Sequence, residues 1–457
     1  MKINKILSAL TVGALTICGA MAQVSFHSGV EFTTYGVQQD FSNNNGTESK
    51  TEPTAGYDPD GNFTIDVNAS AANFAFELGL YFNADGGLGD YYDFSDLYTT
   101  HFYKGNMSVG FLNNQLKVKI GKFEDFNDDM IQAGYVAGEQ SISNLADSTV
   151  GQYLTGVEYA PNFAPGLRIF AGLPILPIMG NGEHYDAAYN QWKNLYKKAK
   201  IAATYTFPVS DFAITLNAGY RYGTYYDGID AADTGTMAVY TENFTKSAFG
   251  EGYLQVVIPG LLDMFDVTAS YDVRYRDSSY VNASNETKEH IALAHYGQIG
   301  LSTKLLDNDM TLSVEDRFFF AGDDYLKSDE KALWDMLAVN AEYAFPGTIF
   351  SAGADLAGMF GADANGKGFV DGAINNSAYA SDSDNITMTF NDMACATAPG
   401  TGATTYIGAY ACPYFKVNFS NGALRIGAEV AYTQFFTSSV KNTCLSYRVP
   451  VGLTFSF

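Results

Sequence analysis

The chain has 457 residues, with 50 acidic and 26 basic side chains, and its net charge of −24 argues against a nucleic-acid partner. Mean hydropathy is −0.07 although aromatics reach 15%, and no stretch after the N-terminal run approaches the ~18 apolar residues of a membrane helix. Such a length fits two or three soluble domains or one large barrel. Near-neutral hydropathy with many aromatics suits strands in which every second residue is polar.

Lys2 and Lys5 precede the apolar run Ile6 to Ile17, and Ala20-Met21-Ala22 presents small residues where a signal peptidase reads. Cleavage is expected before Gln23. Ile17 is too bulky for a lipidation signal at Cys18, so residues 1–22 are taken as a cleaved signal peptide and 23–457 as one domain. Val24-Ser-Phe-His-Ser-Gly-Val-Glu-Phe32 then leads straight into a strand.

One module recurs along the rest of the chain: a strand ends in an aromatic or apolar residue, a tight Pro/Gly/Asn/Asp turn follows, and an alternating strand departs. It appears at Leu112–Leu116, Tyr159–Phe170, Phe207–Ile214, Ile258–Phe265, Leu306–Met310, Phe345–Ile349 and Phe419–Leu424. Between these turns lie long polar segments, at 39–61, 84–97, 124–150, 174–197, 223–247, 277–288, 321–336, 360–403 and 437–443. Counting strands between connections gives about eighteen, with 16–18 as the expected range. An even count puts both termini at the end that carries the short turns.

Two of the long segments carry helical spacing. Tyr185, Ala188, Tyr189, Trp192, Leu195 and Tyr196 form one set, and Ala332, Leu333, Met336 and Leu337 form another around Trp334. Pro413 and Pro450 fall inside expected strands, where the missing N–H predicts bulges. Of the cysteines beyond the signal, Cys395, Cys412 and Cys444, two can pair and one is left over; the sequence does not select the pair.

Other chemistry is poorly represented. Asp363-Ala-Asn-Gly-Lys-Gly-Phe-Val-Asp371 departs from a calcium loop at Lys367 and Ile374, and Asp58-Pro-Asp-Gly-Asn62 is equally incomplete, so no dedicated metal site is expected. His27, His101, His184, His290 and His295 show no nucleophile or acid at a recognisable spacing, so neither an enzyme nor a cofactor is expected.

Strand alternation assigns the charges to one face. Leu116-Lys-Val-Lys-Ile120 turns Lys117 and Lys119 away from its apolar side, and the same pattern places Arg168, Arg221, Arg274, Arg276, Arg317, Lys416, Arg425 and Arg448 on that face. Glu77, Glu158, Asp272, Glu315, Glu342, Asp355 and Glu429 share it. If the other face meets lipid, an Arg or Lys there would cost roughly 2–4 kcal/mol at mid-membrane.

The chain closes on Cys444-Leu-Ser-Tyr-Arg-Val-Pro-Val-Gly-Leu-Thr-Phe-Ser-Phe457, with Tyr447, Leu453, Phe455 and Phe457 on the apolar side. This segment resembles the closing strand of bacterial outer-membrane β-barrels, an alternating apolar strand ending in an aromatic. The resemblance implies an all-β fold, a transmembrane antiparallel β-barrel with short periplasmic turns and long outer loops. The terminal residues would then act as an assembly signal for the barrel-assembly machinery. General porins resemble the luminal arrangement of charge, which implies a water-filled channel for passive diffusion of small polar solutes or ions. Outer-membrane lipid would surround the barrel, and a homotrimer would be a common assembly. The strand followed by Gly121-Lys122-Phe123 is similar to the point where porins send a loop into the channel, so Glu124, Asp125, Asp128 and Asp129 would form a constriction. The alternative is a surface adhesin or structural outer-membrane protein that works through its acidic loops, 360–403 above all.

Overall fold

The computed structural model describes residues 21–43, 48–50, 54–85, 99–122, 153–174, 200–226, 243–281, 287–321, 332–363, 404–437 and 440–456. Residues 1–20, the 124–150 segment, the helical set at 185–196 and the incomplete calcium loop at 363–371, apart from Asp363, therefore lie outside the described residues.

Among the described residues, twenty strand segments follow one another. The first six are β1 (Met21–Asn43), β2 (Glu48–Lys50), β3 (Thr54–Ala71), β4 (Phe74–Asp85), β5 (Thr99–Phe111) and β6 (Leu116–Lys122). Next come β7 (Tyr153–Tyr159), β8 (Leu167–Pro174), β9 (Lys200–Val209), β10 (Phe212–Tyr226), β11 (Asn243–Leu261), β12 (Phe265–Val281) and β13 (Thr287–Leu305). The last seven are β14 (Met310–Ala321), β15 (Ala332–Ala344), β16 (Phe350–Asp363), β17 (Thr404–Phe419), β18 (Gly422–Gly427), β19 (Glu429–Thr437) and β20 (Val440–Ser456).

Every pairing is antiparallel, and each wall strand pairs with its neighbour in sequence. The ladder then returns on itself, because β20 pairs along β1 from His27↔Ser456 to Asn43↔Val440 while β1 also pairs with β3. The sheet is thus a closed ring with no free edge. Two segments are continuations of others. Short β2 extends β3 along β1, and β18 and β19 both lie between β17 and β20, interrupted only at Ala428. The twenty segments therefore make eighteen staves, in line with the strand count expected from the turns.

The seven turns marked in the sequence join strands as expected, and all lie at one end of the ring. An eighth, Ala72-Asn73 between β3 and β4, is marked by a single Asn and escaped the sequence reading. Several turns hold ordinary residues at positive φ, among them Leu112 (53°), Asn113 (55°) and Asn114 (63°). Gly166, at φ 88°, is a different case: a Cβ there would sit 2.1 Å from the Thr206 carbonyl oxygen.

Three expectations need correction. The segments 39–61, 277–288 and 437–443 are mostly strand, since β1 runs on to Asn43 and β3 starts at Thr54, β12 runs to Val281 and β13 starts at Thr287, and β20 starts at Val440; Asp58–Asn62 is therefore extended backbone rather than a loop. Strand ends beyond the apolar band are polar on both faces, which reads as loop in sequence. Ala332, Leu333, Met336 and Leu337 belong to β15, not a helix. Their spacing also satisfies a period of two, with Leu333 and Leu337 exposed and Met336 buried, and both neighbouring strands complete the ladder.

The third correction concerns the prolines. Register is continuous through Ala354↔Pro413 and Thr33↔Pro450, with no bulge. Extending the flanking pairs, Tyr414↔Gly427 and Ile426↔Val451, brings both prolines against Gly427-Ala428, where the ladder breaks between β18 and β19. The Pro413 carbonyl still accepts from the Ala428 N–H at 2.9 Å.

Outward positions carry the large exposed apolar side chains, including Leu254, Ile299, Leu337, Leu356, Val430 and Val449. Near the turns, aromatics pack in pairs: Tyr205–Phe207, Tyr343–Phe345, Phe350–Phe415 and Phe419–Phe455, with ring centroids 5.4–5.6 Å apart. Toward the other end, His295 stacks between Tyr271 and Phe320, and the Tyr271 hydroxyl lies 2.6 Å from its Nδ1. Met310 and Phe320, ten residues apart on β14, are separated by about 25 Å along an axis tilted ~40°. That is the height of the apolar band of a membrane barrel, and the fold is a transmembrane antiparallel β-barrel.

Candidate functional site

The inward wall is polar and ionic, and its charges fall into sets built by neighbouring staves. On β6–β8, Glu158 receives three cations: Lys117 Nζ at 3.6 Å, Lys119 Nζ at 3.2 Å and Arg168 Nε at 3.3 Å. Alternation along β6 puts both lysines on one face, and the pairing Lys117↔Glu158 brings the carboxylate alongside.

A second set spans β15–β18. Glu342 accepts from Lys416 Nζ at 3.1 Å, from the Tyr414 hydroxyl at 3.0 Å and from Ser351 Oγ at 2.7 Å. Arg425 pairs with Asp355 and lies over the Tyr414 ring, 4.1 Å from its centroid. Asn340 donates to both Asp355 and the Tyr414 hydroxyl. On β17, β19 and β20, Glu429 takes the Tyr410 hydroxyl at 3.2 Å and Arg448 Nε at 3.5 Å.

Several described side chains on the inward face of β10–β15 are buried. Asn217 donates to Gln255 at 3.0 Å and Gln255 to Ser270 at 2.9 Å, while Asp272, Gln298, Glu315 and Arg317 are all buried. Arg317 is ion-paired with Glu315 on its own strand, so its charge does not reach water. On β4, Glu77 takes Asn106 Nδ2 at 3.0 Å.

Most of the residues named from the sequence therefore come together as three inward ionic sets. Arg221 belongs to β10, and Arg274 and Arg276 to β12, but their side chains lie outside the described residues. Glu124, Asp125, Asp128, Asp129 and Phe457 lie outside them entirely. Tyr447 is exposed on the outward face, and Phe455 packs on Phe419 beside the last turn. Leu453 stands opposite Val30 of β1 and Leu424 of β18, two positions along β20 from Phe455, so all three share the outward face. Cys412 is a buried free thiol, 3.9 Å from Arg425.

The sequence reading missed the partners that complete these sets. Tyr410, Tyr414, Asn340 and Ser351 bind the carboxylates, and only their alternation with the named charges could have flagged them. It also missed an outward pair. Asp316 on β14 and Asp335 on β15 share the face of Phe318 and Leu337, as Phe318↔Asp335 and Asp316↔Leu337 are ladder partners. Among the described residues, no group of three or more His, Cys, Asp or Glu could hold a metal.

No family model and no curated protein matches the sequence. Solved outer-membrane proteins resemble the fold. OprB of Pseudomonas putida is 12% identical over 95% of this chain and 94% of its own, with a TM-score of 0.48. DcaP, an outer-membrane channel of Acinetobacter baumannii, is 10% identical over 95% and 97%, at 0.43. OmpT of Vibrio cholerae, in its trimer form, is 12% identical over 94% and 99%, also at 0.43.

Proposed function

We propose that this chain is an outer-membrane porin, a water-filled channel for passive diffusion of small polar solutes or ions. The observation that carries the proposal is a closed ring of eighteen staves whose inward face keeps Lys117, Lys119, Lys416 and Arg425 partly exposed. A ring of that size encloses more space than wall side chains fill, as in porins of 16–18 strands. The transport needs no catalytic residue and no cofactor. In this proposal the turns face the periplasm, the long segments face outward, and the terminal strand engages the assembly machinery before the barrel settles in outer-membrane lipid, as a homotrimer.

The test is conductance of the refolded protein in planar bilayers. Stepwise openings of nanosiemens order are expected, and they should survive deletion of residues 364–403. A folded, heat-modifiable barrel that never conducts would refute the porin and favour an adhesin acting through that acidic loop.

A further inference from the structure

Among the described residues, four inward cations are each paired with a carboxylate. Lys416 meets Glu342, Arg425 meets Asp355, Arg448 meets Glu429 and Arg317 meets Glu315. The set on β6–β8 departs from this rule, because Glu158 alone receives two ammoniums and a guanidinium. With Arg168 set aside for its other contacts, two lysines share one carboxylate and leave a formal charge of +1.

The layering of the set matters as much as its sum. Glu158 is the buried member, with 5% of its side chain exposed, while Lys117 is 41%, Arg168 29% and Lys119 26% exposed. The carboxylate lies beneath, where it fixes the cations, and the cations present themselves to the interior. On the rung of Lys119, β7 and β8 contribute Gly156 and Gly172, so neither strand sets a side chain beside that ammonium. The set is also close to one mouth, since Lys117 and Arg168 are each the second residue of a strand leaving a tight turn.

We propose that Lys117, Lys119 and Arg168 form an anion subsite on the inward wall at the turn end, for a small oxyanion such as a carboxylate or inorganic phosphate. An ammonium is a mobile point charge with three donors, and a guanidinium adds a planar fork, so together they can follow an oxyanion passing along the wall. Glu158 serves as a positioning residue. It draws the three cations together against their mutual repulsion and weakens their grip enough for release. The subsite rests on the porin reading for its purpose, but its binding can be measured without a pore.

The experiment uses the folded barrel in detergent and in planar bilayers, with inorganic phosphate and acetate as separate probes. Equilibrium dialysis of phosphate should show saturable binding that falls about tenfold or more in Lys117→Gln/Lys119→Gln, while Glu158→Gln tightens it several-fold by removing the one opposing charge. In bilayers, the same variants should move the reversal potential under a potassium chloride gradient in opposite directions. Lys117→Arg/Lys119→Arg should keep both properties. If the double glutamine variant fails to fold, Glu158→Gln decides alone: tighter binding supports the subsite, and unchanged binding overturns it. Block by phosphate but not by acetate identifies a phosphate-type solute, and block by both identifies oxyanions at large. A barrel that binds phosphate through these lysines without conducting keeps the subsite and loses the porin. A barrel that conducts with identical selectivity and binding in all variants loses the subsite and keeps the porin.

Discussion

Asp316 and Asp335 are carboxylates on a face otherwise built for lipid, and replacing them should stabilise the barrel. Asp316 is six residues along β14 from Met310, which places it about 15 Å above the turn end, near the middle of a ~25 Å apolar band. Asp335 is nine residues along β15 from Ala344, about 23 Å up and close to the far boundary. The depth dependence of lipid-face charge then makes Asp316→Leu worth about 1–2 kcal/mol and Asp335→Leu less than about 1 kcal/mol. The assay is reversible urea unfolding in phospholipid bilayers, followed by tryptophan fluorescence, with the unheated mobility of each variant checked on gels. Both substitutions should raise the urea midpoint at unchanged slope, Asp316→Leu by more. A lower midpoint for Asp316→Leu would refute lipid exposure of this face and show that a polar surface covers the carboxylate.

Three further substitutions test the packing of the wall. Arg317→Met removes the buried guanidinium that pairs with Glu315 and should cost about 3–5 kcal/mol, with much of the loss recovered when Glu315→Gln is added, both read from urea midpoints. Gly427→Ala would set a Cβ 2.9 Å from Cys412 Sγ and 3.1 Å from Pro450 Cγ, an overpacking of about 1–3 kcal/mol visible in the same assay. Phe455→Ala removes the packing on Phe419 beside the last turn; it should cost about 1 kcal/mol and slow refolding into bilayers, followed by heat-modifiable mobility.

The architecture was largely legible because a membrane wall obeys a strict period. Leu116 to Ile120 shows the point: apolar residues at every second position leave no choice of face for Lys117 and Lys119. Turn chemistry supplied the rest of the ring, except at Ala72-Asn73, where a single Asn is all that marks the reversal. Legibility ended where the lipid ends. Thr54 to Asp60 extends β3 beyond the band, and with no apolar face to alternate against, its polar residues read as loop. Met336 and Leu337 were misread because four apolar residues can satisfy two periods at once, and only the partners Arg317 and Asp316 on β14 decide between them. The ionic sets were half visible. Their charges stand out in the sequence, but that Glu158 serves three cations while Glu342 serves one depends on strand pairing, which no local pattern encodes.

The β15–β20 network has a structural task that separates it from the β6–β8 set. Pro413 and Pro450 each withhold a ladder N–H, and both face the break at Gly427-Ala428. Around that break stand Arg425 on Asp355, Tyr414 on Glu342 and Arg448 on Glu429, contacts that cross one or two staves. Side-chain bonds there hold together strands that the backbone alone holds less well, so the two should be coupled. Restoring a donor with Pro413→Ala makes the ladder less dependent on Arg425, and Arg425→Met should then cost less in that background than in the native chain. A double-mutant cycle on urea midpoints should show a coupling of about 0.5–2 kcal/mol. Additive effects would mean that the network balances charge without supporting the ladder. In either case its charges are spent on one another, which leaves the excess around Glu158 as the described part of the wall most able to act on a solute.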